Sequence, residues 1–246
     1  MIIQNEHREP FPRNVGRPYT IYNCAMSLDG RLSTISNDSA FSSKEDWMRV
    51  HRLRDAVDGI CVGIGTVLSD DPKLRVKFLE AKKNPDRIII DSMLKIPTDA
   101  QCLLVERDGV RVLIGTTSAA MENRAKVLAL EKVGVELIDC GEGKLVNLKT
   151  LWRELFSKGI HSIMVEGGGT VAGSLLVDDL IDEIRVFIAP VLVGGNVPPA
   201  TCIMMGQAFE TVQHAIQLEL VSINKCGNGL LAKFQPCNGK EKVQTE

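Results

Sequence analysis

The chain has 246 residues, of which 44% are hydrophobic and 24% charged, and its formal net charge is −2 at pH 7. This composition is typical of a soluble globular protein with a core of useful size. The sequence has no dense block of lysine and arginine, so no nucleic-acid binding is expected. The seven scattered cysteines include no C-x-x-C pair, which argues against zinc and a redox dithiol and favours a reducing, cytoplasmic environment.

The two ends of the chain differ from its middle. Residues 1–17 are polar and predict an extended arm without the apolar segment of a secretory signal. Residues 236–246 are polar and predict a frayed tail. Residues 18–235 are predicted to form one domain. No apolar run approaches the ~20 residues that span a membrane, so no membrane association is expected.

Between the ends, apolar runs of strand length alternate with helical patterns. The predicted strands are 20–26, 59–64, 87–91, 110–115, 135–138, 162–165, 183–189, 217–223 and 230–234. The predicted helices are 44–55, capped by Ser42 or Ser43, 119–133, ended by Gly134, 148–158 and 170–177. This alternation predicts an α/β fold with a largely parallel sheet covered on both faces. Turn residues at 226–229 predict a final antiparallel hairpin. This hairpin and residues 191–193 are apolar enough to form an interface, but buried core is the favoured interpretation.

The first two strands end in turn signals. Residues 29–30 form an Asp-Gly dipeptide, for which a plain turn is the favoured interpretation. Glycines at 63 and 65 lead into a short helical turn that places Thr66 and Asp70 on the same side. A hydroxyl and a carboxylate arranged in this way can bind a ribose or an amide. The Asp-Pro pair at 71–72 is otherwise a simple helix-stopping turn.

Residues 74–77 alternate apolar and basic side chains. The pattern predicts that Arg75 and Lys77 project to one face, where they can grip a substrate phosphate. A solvated edge strand is the alternative and is favoured on these residues alone. His51 on the first helix is predicted to be only packed or solvated, and the four histidines have no metal-ligand spacing, so no metal is expected.

The most informative stretch is Val165-Glu166-Gly167-Gly168-Gly169-Thr170-Val171. It predicts a buried strand, a glycine turn and the start of a helix, whose free N–H groups suit a pyrophosphate. A plain tight connection is equally favoured on the sequence alone. Several other predicted strands also end in polar residues, and ligands of open α/β sheets collect beyond such ends. Because no nucleophile motif accompanies them, the cleft predicts a cofactor that brings its own reactivity, such as a hydride donor.

In this order, the motifs S-L-D-G-R (27–31), H-R-L-R (51–54), V-G-I-G-T-V-L-S-D-D-P (62–72), R-I-I-I-D-S (87–92), V-E-G-G-G-T (165–170) and I-A-P-V-L-V-G-G (188–195) resemble the riboflavin-pathway reductase family. The resemblance covers about residues 18 to 234. It implies a dihydrofolate-reductase-like fold, a homodimer, and NADPH-dependent reduction of a phosphorylated ribosylaminopyrimidine. The zinc deaminase motif of the fused bacterial forms is absent, so the chain is similar to stand-alone forms that act on the diamino compound, before deamination.

The resemblance also implies site residues. The NADPH-binding set, which includes our own choice of two threonines for the 2′-phosphate, is Ala25, Gly63, Thr66, Asp70, Ser92, Thr116, Thr117, Gly167, Gly168, Gly169, Thr170 and Val171. The substrate-binding set is Ser39, Arg54, Leu74, Arg75, Lys77 and Glu166. Lys77 stands where the family commonly has arginine, a loss for which Arg75 can compensate. We expect Asp70 and Glu166 to be catalytic.

Three alternatives stay open at this point. A dihydrofolate reductase proper would use the same cofactor, but the first helix is strongly basic, which suits an anionic substrate better than a pterin. The same reduction can act on the already deaminated pyrimidine. The chain can also be a non-catalytic NADPH-binding protein on this scaffold.

Overall fold

The structure, a computed structural model, describes residues 11–12, 15–79, 84–104, 109–195 and 202–237. Most of the predicted arm and tail lies outside these residues. Phe11 stacks on Tyr19 with ring centroids 5.8 Å apart. Arg17 forms a bidentate ion pair with Asp182, with N–O distances of 2.7 and 2.8 Å, which fastens the start of the domain. The boundaries at 17 and 235 stay predictions.

The described residues form nine strands, six α-helices and two short 3₁₀ turns (Gln101–Leu103 and Val212–His214). The strands are β1 Tyr19–Ser27, β2 Gly59–Gly63, β3 Asp86–Ile90, β4 Val112–Thr116, β5 Val135–Asp139, β6 Ser162–Glu166, β7 Glu183–Ala189, β8 Leu218–Cys226 and β9 Gly229–Pro236. The helices are α1 Lys44–Ala56, α2 Ile64–Asp70, α3 Ser118–Met121, α4 Arg124–Lys132, α5 Leu148–Ser157 and α6 Gly169–Val177.

Local signals place most helix ends correctly. Ser43 caps α1, since its side chain accepts from the backbone N–H of Asp46. Gly134 follows α4 with a φ of +85°, as expected for a C′ glycine. The prediction of one helix over 119–133 is wrong. Asn123 caps a second helix by accepting from the N–H of Lys126, so the segment divides into α3 and α4.

The sheet has the order β5-β4-β3-β2-β6-β1-β7-β9-β8. The pairs from β5 to β7 are parallel, and β7 with β9 and β9 with β8 are antiparallel. The predicted α/β fold with a parallel sheet and a final hairpin is therefore confirmed. The chain lays down β2 to β5 on one side of β1 and then returns to insert β6 between β1 and β2.

Two apolar layers cover the sheet, because alternate strand residues point to opposite faces. One face carries Ile21 and Met164 and packs on α1 through Leu53. The other face carries Ile163 and packs on α5, whose Trp152 is fully buried. The indole N–H of Trp152 donates to the Thr20 hydroxyl at 2.7 Å. Within the described residues, no helix combines the length and apolar character needed to cross a bilayer.

The position of β6 determines where a ligand can bind. The carboxyl ends of β2, β6 and β1 lie side by side at the point where the strand order reverses, which is the usual ligand crevice of an open α/β sheet. On the edge beyond β1, Asp29 accepts from the Ser27 hydroxyl and from the N–H groups of Val193 and Gly194. These hydrogen bonds hold the pKa of Asp29 well below its usual range and tie two loops together.

The expectation that the final hairpin and residues 191–193 are buried is wrong for 191–193 and for β8, whereas β9 contributes the buried residues Leu231 and Ala232. Leu192 is 76% exposed, and four large apolar residues of β8 are between 42% and 56% exposed: Leu218, Leu220, Val221 and Ile223. β8 ends the sheet, so it has only one neighbouring strand among the described residues. The apolar runs reflect an exposed edge rather than core.

Candidate functional site

Two cavities near α2 are lined by many of the predicted site residues. The first, of about 870 Å³, lies between the glycine turns after β2 and β6 and the loop after β5, and we call it the glycine cavity. The second, of about 750 Å³, lies between α1 and residues 71–78, and we call it the cationic cavity. Helix α2 joins them, because its start lines the glycine cavity and the residues after its end line the cationic cavity.

The glycine cavity collects many of the predicted cofactor residues. Those that line it are Gly63, Thr66, Ser92, Gly168, Thr170 and Val171. Gly167 lies beside them, since a Cβ there would be 3.3 Å from the Thr66 hydroxyl oxygen. The two turns of the chain are therefore brought together by the insertion of β6 next to β2.

The glycines of the two turns, after β2 and after β6, have different physical roles. Gly167 and Gly168 have φ values of +80° and +76°, which L side chains rarely adopt. A Cβ at Gly63 would lie 2.7 Å from a methyl group of Val171, and one at Gly169 would lie 2.2 Å from the Cys202 carbonyl oxygen. The first two glycines thus serve the turn, whereas the other two serve close packing.

The start of α6 is suited to an anion. Its N-cap is Gly168, which has no side chain to accept from the first N–H groups of the helix. These N–H groups lie at Thr170 and Val171, two residues that line the cavity. The positive end of the helix dipole points the same way. A pyrophosphate group is the kind of ligand that this geometry accepts.

The predicted cofactor residues that do not line the glycine cavity include Ala25, Thr116 and Thr117. Thr116 and Thr117 are buried, and Thr117 caps α3 and donates to the Ser92 carbonyl at 2.8 Å. Ala25 packs against a small apolar cluster that includes Phe187 and Leu231. None of these three is among the residues that line either cavity. Thr117 is engaged in these hydrogen bonds, and the Thr116 hydroxyl is buried without a hydrogen-bond partner among the described residues, so nothing supports their predicted contact with a 2′-phosphate.

The cationic cavity is strongly basic. Its described lining includes one carboxylate, that of Asp71, and five cations. The cations are Lys44, Arg54, Lys73, Arg75 and Lys77. The wall opposite residues 71–78 is the face of α1 that carries Trp47 and His51. A phosphorylated substrate suits this charge balance.

The segment 71–78 differs from the edge strand favoured by the sequence. It has neither helix nor strand, so that interpretation is wrong. Leu74 and Val76 are nevertheless buried, while Arg75 and Lys77 line the cavity, as the alternation predicted. The backbone is irregular, with positive φ at Asp71, Leu74 and Phe78.

Glu166, the last residue of β6, forms an ion pair with Arg54 of α1. The guanidinium Nε and Nη2 donate to the two carboxylate oxygens at 2.6 and 2.5 Å. The side chains are only 13% and 15% exposed. Arg54 also donates to the Arg75 carbonyl at 2.9 Å. The pair therefore connects the strand that leads into the glycine cavity with the wall of the cationic cavity.

Two other predicted residues lie apart from the cavities. Asp70 ends α2, is exposed, and accepts from the Ser69 hydroxyl at 2.6 Å. Ser39 is exposed in the loop before α1. Neither lines a cavity, although Asp70 lies in the sequence between Thr66 of one cavity and Asp71 of the other. Their predicted roles stay predictions.

Two residues of this region were not predicted as site residues: Asn23, and His51, which was predicted to be only packed or solvated. Asn23 is buried and directly opposite Glu166 in the parallel β1–β6 pair, so both side chains point toward α1. The Asn23 Oδ1 has no hydrogen-bond partner among the described residues. His51 is buried against the cationic cavity. Its spacing from Trp47 and Arg54 on one helical face was the signal that identifies it.

The largely parallel sheet, the glycine cavity at its strand ends and the basic second cavity agree with the dihydrofolate-reductase-like reductase that the resemblance implies. The sequence matches the RibD C-terminal domain family over residues 18–232, and the chain belongs to that family.

Curated relatives of this family are similar over most of the chain. A Methanothermobacter thermautotrophicus protein named 2,5-diamino-6-ribosylamino-4(3H)-pyrimidinone 5′-phosphate reductase is 38% identical over 89% of this chain and 98% of its own length. An Archaeoglobus fulgidus protein of the same name is 40% identical over 76% and 86%. These similarities agree with the resemblance to the riboflavin-pathway reductase family.

Solved structures support the fold. The Saccharomyces cerevisiae riboflavin biosynthesis reductase Rib7 is 27% identical, with a TM-score of 0.68 and coverage of 92% of both chains. Acinetobacter baumannii RibD is 24% identical with a TM-score of 0.74, and the match covers 90% of this chain and 58% of that protein. The predicted dihydrofolate-reductase-like fold is confirmed.

Proposed function

We propose that the chain reduces the ribosylamino group of 2,5-diamino-6-ribosylamino-4(3H)-pyrimidinone 5′-phosphate to the ribitylamino product with NADPH, in riboflavin biosynthesis. Relatives that bear the name of this reductase match 89% and 76% of the chain. The observation that carries the proposal is the buried Arg54–Glu166 pair between a glycine cavity and a basic cavity. Such an arrangement can hold two anionic reactants side by side.

A nicotinamide cofactor follows from membership of a reductase family, and the glycine cavity has room for it. When bound, it supplies the hydride. The uncapped start of α6 would hold the pyrophosphate, with Thr66 beside it. The 2′-phosphate that distinguishes NADPH would meet Lys149, the described cation that lines this cavity, which lies 3.6 Å from Asp178.

The substrate phosphate would bind in the cationic cavity. Arg75 and Lys77 lie on the same irregular segment and face the same space. Both offer charge-assisted hydrogen bonds, and Arg75 offers the planar fork that Lys77 lacks. The wall of this cavity contains Trp47, which can cover an apolar face of the sugar or the ring.

The heterocycle would lie near Glu166 and Asn23. The carboxylate accepts hydrogen bonds from amino groups, and the Asn23 amide both donates and accepts. Arg54 holds Glu166 in one orientation by its two hydrogen bonds. The contribution of these residues is then orientation of two reactants in a water-poor cleft, with Glu166 and Asp70 as the proposed catalytic groups.

The alternatives differ in what the site must recognise. Dihydrofolate reduction needs a carboxylate of the first helix next to the pterin, whereas here the helix contributes the cation Arg54 and the strand contributes the carboxylate. The same reaction on the deaminated pyrimidine exchanges one amino group for a carbonyl. A binding protein without turnover would have the same cavities.

The test is NADPH oxidation by the purified protein with three substrates: the diamino compound, its deaminated counterpart and dihydrofolate. We expect turnover of the diamino compound. Preference for the deaminated compound would contradict the proposed position in the pathway, and NADPH binding without oxidation of any of the three would favour the binding-protein alternative. Glu166→Gln is the matched variant, because it keeps the size of the side chain and removes its charge.

We further propose that the protein is a homodimer that pairs through β8. This strand ends the sheet and exposes several large apolar residues. Proteins usually protect such an edge strand from pairing with other chains or cover it with another element. A second copy can cover both edges at once by antiparallel pairing about a two-fold axis. We expect light scattering to give twice the 27.0 kDa of one chain, and Ile223→Lys to give the single mass. A monomeric parent protein would contradict this.

We place the enzyme in the cytoplasm. All seven cysteines are free thiols, and five of them are buried. Free thiols are the usual state in reducing compartments. Fractionation of the source cells would test the assignment, and recovery of the protein outside the cytosolic fraction would contradict it.

A further inference from the structure

We infer that His51 is a positioning residue that holds Lys77 in place and thereby sets the affinity for phosphorylated substrates. The inference rests on the proposed function of the cationic cavity. The imidazole is 2% exposed and lines this cavity. Its Nδ1 accepts a hydrogen bond of 3.0 Å from the backbone N–H of Lys77.

The backbone around Lys77 requires such an anchor. Residues 71–78 form neither helix nor strand, and Leu74 and Phe78 have φ values of +44° and +63°. Residues other than glycine keep a positive φ only where the surrounding structure enforces it. Asn84 accepts from the N–H of Val76 at 3.1 Å, and His51 is the anchor next to Phe78. Without it, the end of the segment loses its fixed position.

The imidazole is itself held firmly. Trp47 stacks on one side of the ring with centroids 5.9 Å apart and an interplanar angle of 26°. Phe78 meets it edge-on, with centroids 5.1 Å apart and an angle of 83°. The ring is therefore fixed between the helix and the segment that it anchors, and Nδ1 stays directed at Lys77.

The protonation state agrees with this role. Burial, followed by the nearby Arg54, lowers the pKa of His51 to about 4. The ring is thus neutral near pH 7. Because Nδ1 accepts the hydrogen bond, the proton of the neutral ring is on Nε2. The anchor persists under the conditions in which the enzyme would work.

The consequence concerns the phosphate rather than the reacting groups. A lysine ammonium is a point charge on a flexible stem, so its position depends on where its backbone is held. If His51 fixes that backbone, loss of the Nδ1 acceptor weakens binding of the phosphate and leaves the hydride-transfer step almost unchanged. A purely packing role would affect phosphorylated and unphosphorylated ligands alike.

The experiment compares His51→Phe, which keeps a ring between Trp47 and Phe78 but removes the acceptor, with His51→Asn, whose carbonyl can replace Nδ1. Binding of ribose 5-phosphate and of ribose is measured by calorimetry, and KM and kcat are measured with the full substrate. We expect His51→Phe to raise Kd for ribose 5-phosphate and KM about ten-fold, with kcat within about two-fold. His51→Asn should recover most of the loss. His161→Phe, at an exposed histidine that also contacts a phenylalanine, is the control and should change neither constant.

A double-mutant cycle tests the route through Lys77. In a Lys77→Met background, His51→Phe should have no further effect on ribose 5-phosphate binding, because the ammonium that it positions is gone. An equal effect in both backgrounds, or an equal loss for ribose, would overturn the inference. If His51→Phe does not fold, His51→Gln replaces it, since its amide occupies the Nε2 position and cannot reach the Lys77 N–H. Absence of turnover in the parent enzyme would refute the proposed function, whereas the calorimetric comparison would still decide the role of His51.

Discussion

Replacement of Arg54 by methionine should separate the two consequences of its ion pair with Glu166. The substitution removes two short charge-assisted hydrogen bonds and leaves a carboxylate that is 15% exposed without its cation. Breaking a pair that is this well buried, by removal of one partner, costs about 3–5 kcal/mol. We expect urea unfolding to show a loss near the lower end of that range, because the pair keeps some contact with solvent.

The activity should fall further than the stability explains. Below the unfolding transition, Arg54→Met should lower kcat/KM by at least about 100-fold, since Glu166 loses its orientation and the cationic cavity loses one cation. The double variant Arg54→Met/Glu166→Leu, with no uncompensated charge, should regain most of the free energy of unfolding but no activity. Enzyme assays and urea titrations of the same preparations give both quantities.

Arg17→Met is the matched control. Arg17 also forms a bidentate pair, with Asp182, but at the start of β1 and away from both cavities. The Arg17→Met variant should have a lower free energy of unfolding and an unchanged kcat/KM. If Arg54→Met unfolds at the same urea concentration as the parent, or retains kcat/KM within a few-fold, the reasoning about this pair is refuted.

Further predictions concern the cofactor cavity and pH. Gly168→Ala should raise KM for NADPH several-fold and lower the free energy of unfolding by about 1–3 kcal/mol, because alanine is strained at a φ of +76°. An unchanged KM and melting temperature would contradict the role of this turn. Lys149→Gln should raise KM for NADPH about ten-fold and leave KM for NADH unchanged, whereas equal changes would exclude contact with the 2′-phosphate. The pKa of His51 falls from 6.5 to about 4 on folding, so between these values the unfolded chain binds a proton that the folded chain does not, and stability decreases as pH is lowered. His51→Phe should reduce this slope by up to about 1.4 kcal/mol per pH unit, as measured by urea unfolding at several pH values, and an unaltered slope would show that His51 titrates normally.

Asp70 is the predicted catalytic residue with the weakest support from the geometry. It is exposed, and its described hydrogen bond is to the neighbouring Ser69. The position at the end of α2 was predictable from the helical spacing to Thr66, whereas its distance from the reacting atoms depends on how the ligands fill both cavities. Asp70→Ala should lower kcat/KM more than a few-fold if the assignment is correct, and a smaller change in a steady-state assay would remove it from the catalytic set.

Hydrophobic periodicity and glycines determined much of this protein from the sequence alone. Continuous apolar strands predicted the parallel sheet, and the alternation from Leu74 to Lys77 predicted which basic side chains line a cavity. The anion site at the Gly-Gly-Gly turn stays a prediction. These are local properties, because side-chain direction and permitted backbone angles depend on a few neighbouring residues. The error over 119–133 is also local, since Asn123 is both an acceptable helix residue and a good cap.

Only the tertiary structure decided which of these local features act together. The Arg54–Glu166 pair spans 112 residues and exists because β6 inserts between β1 and β2. The same insertion places Asn23 opposite Glu166 and brings the two glycine turns to one cavity. Packing at the end of β4 buries Thr116 and Thr117, and the pairing of β8 with β9 alone leaves β8 an exposed edge although its composition resembles core. Strand order is set by packing between segments that are distant in the chain, so it cannot be predicted from any short stretch of the sequence. The functional groups at each strand end, in contrast, are given directly by the residue types.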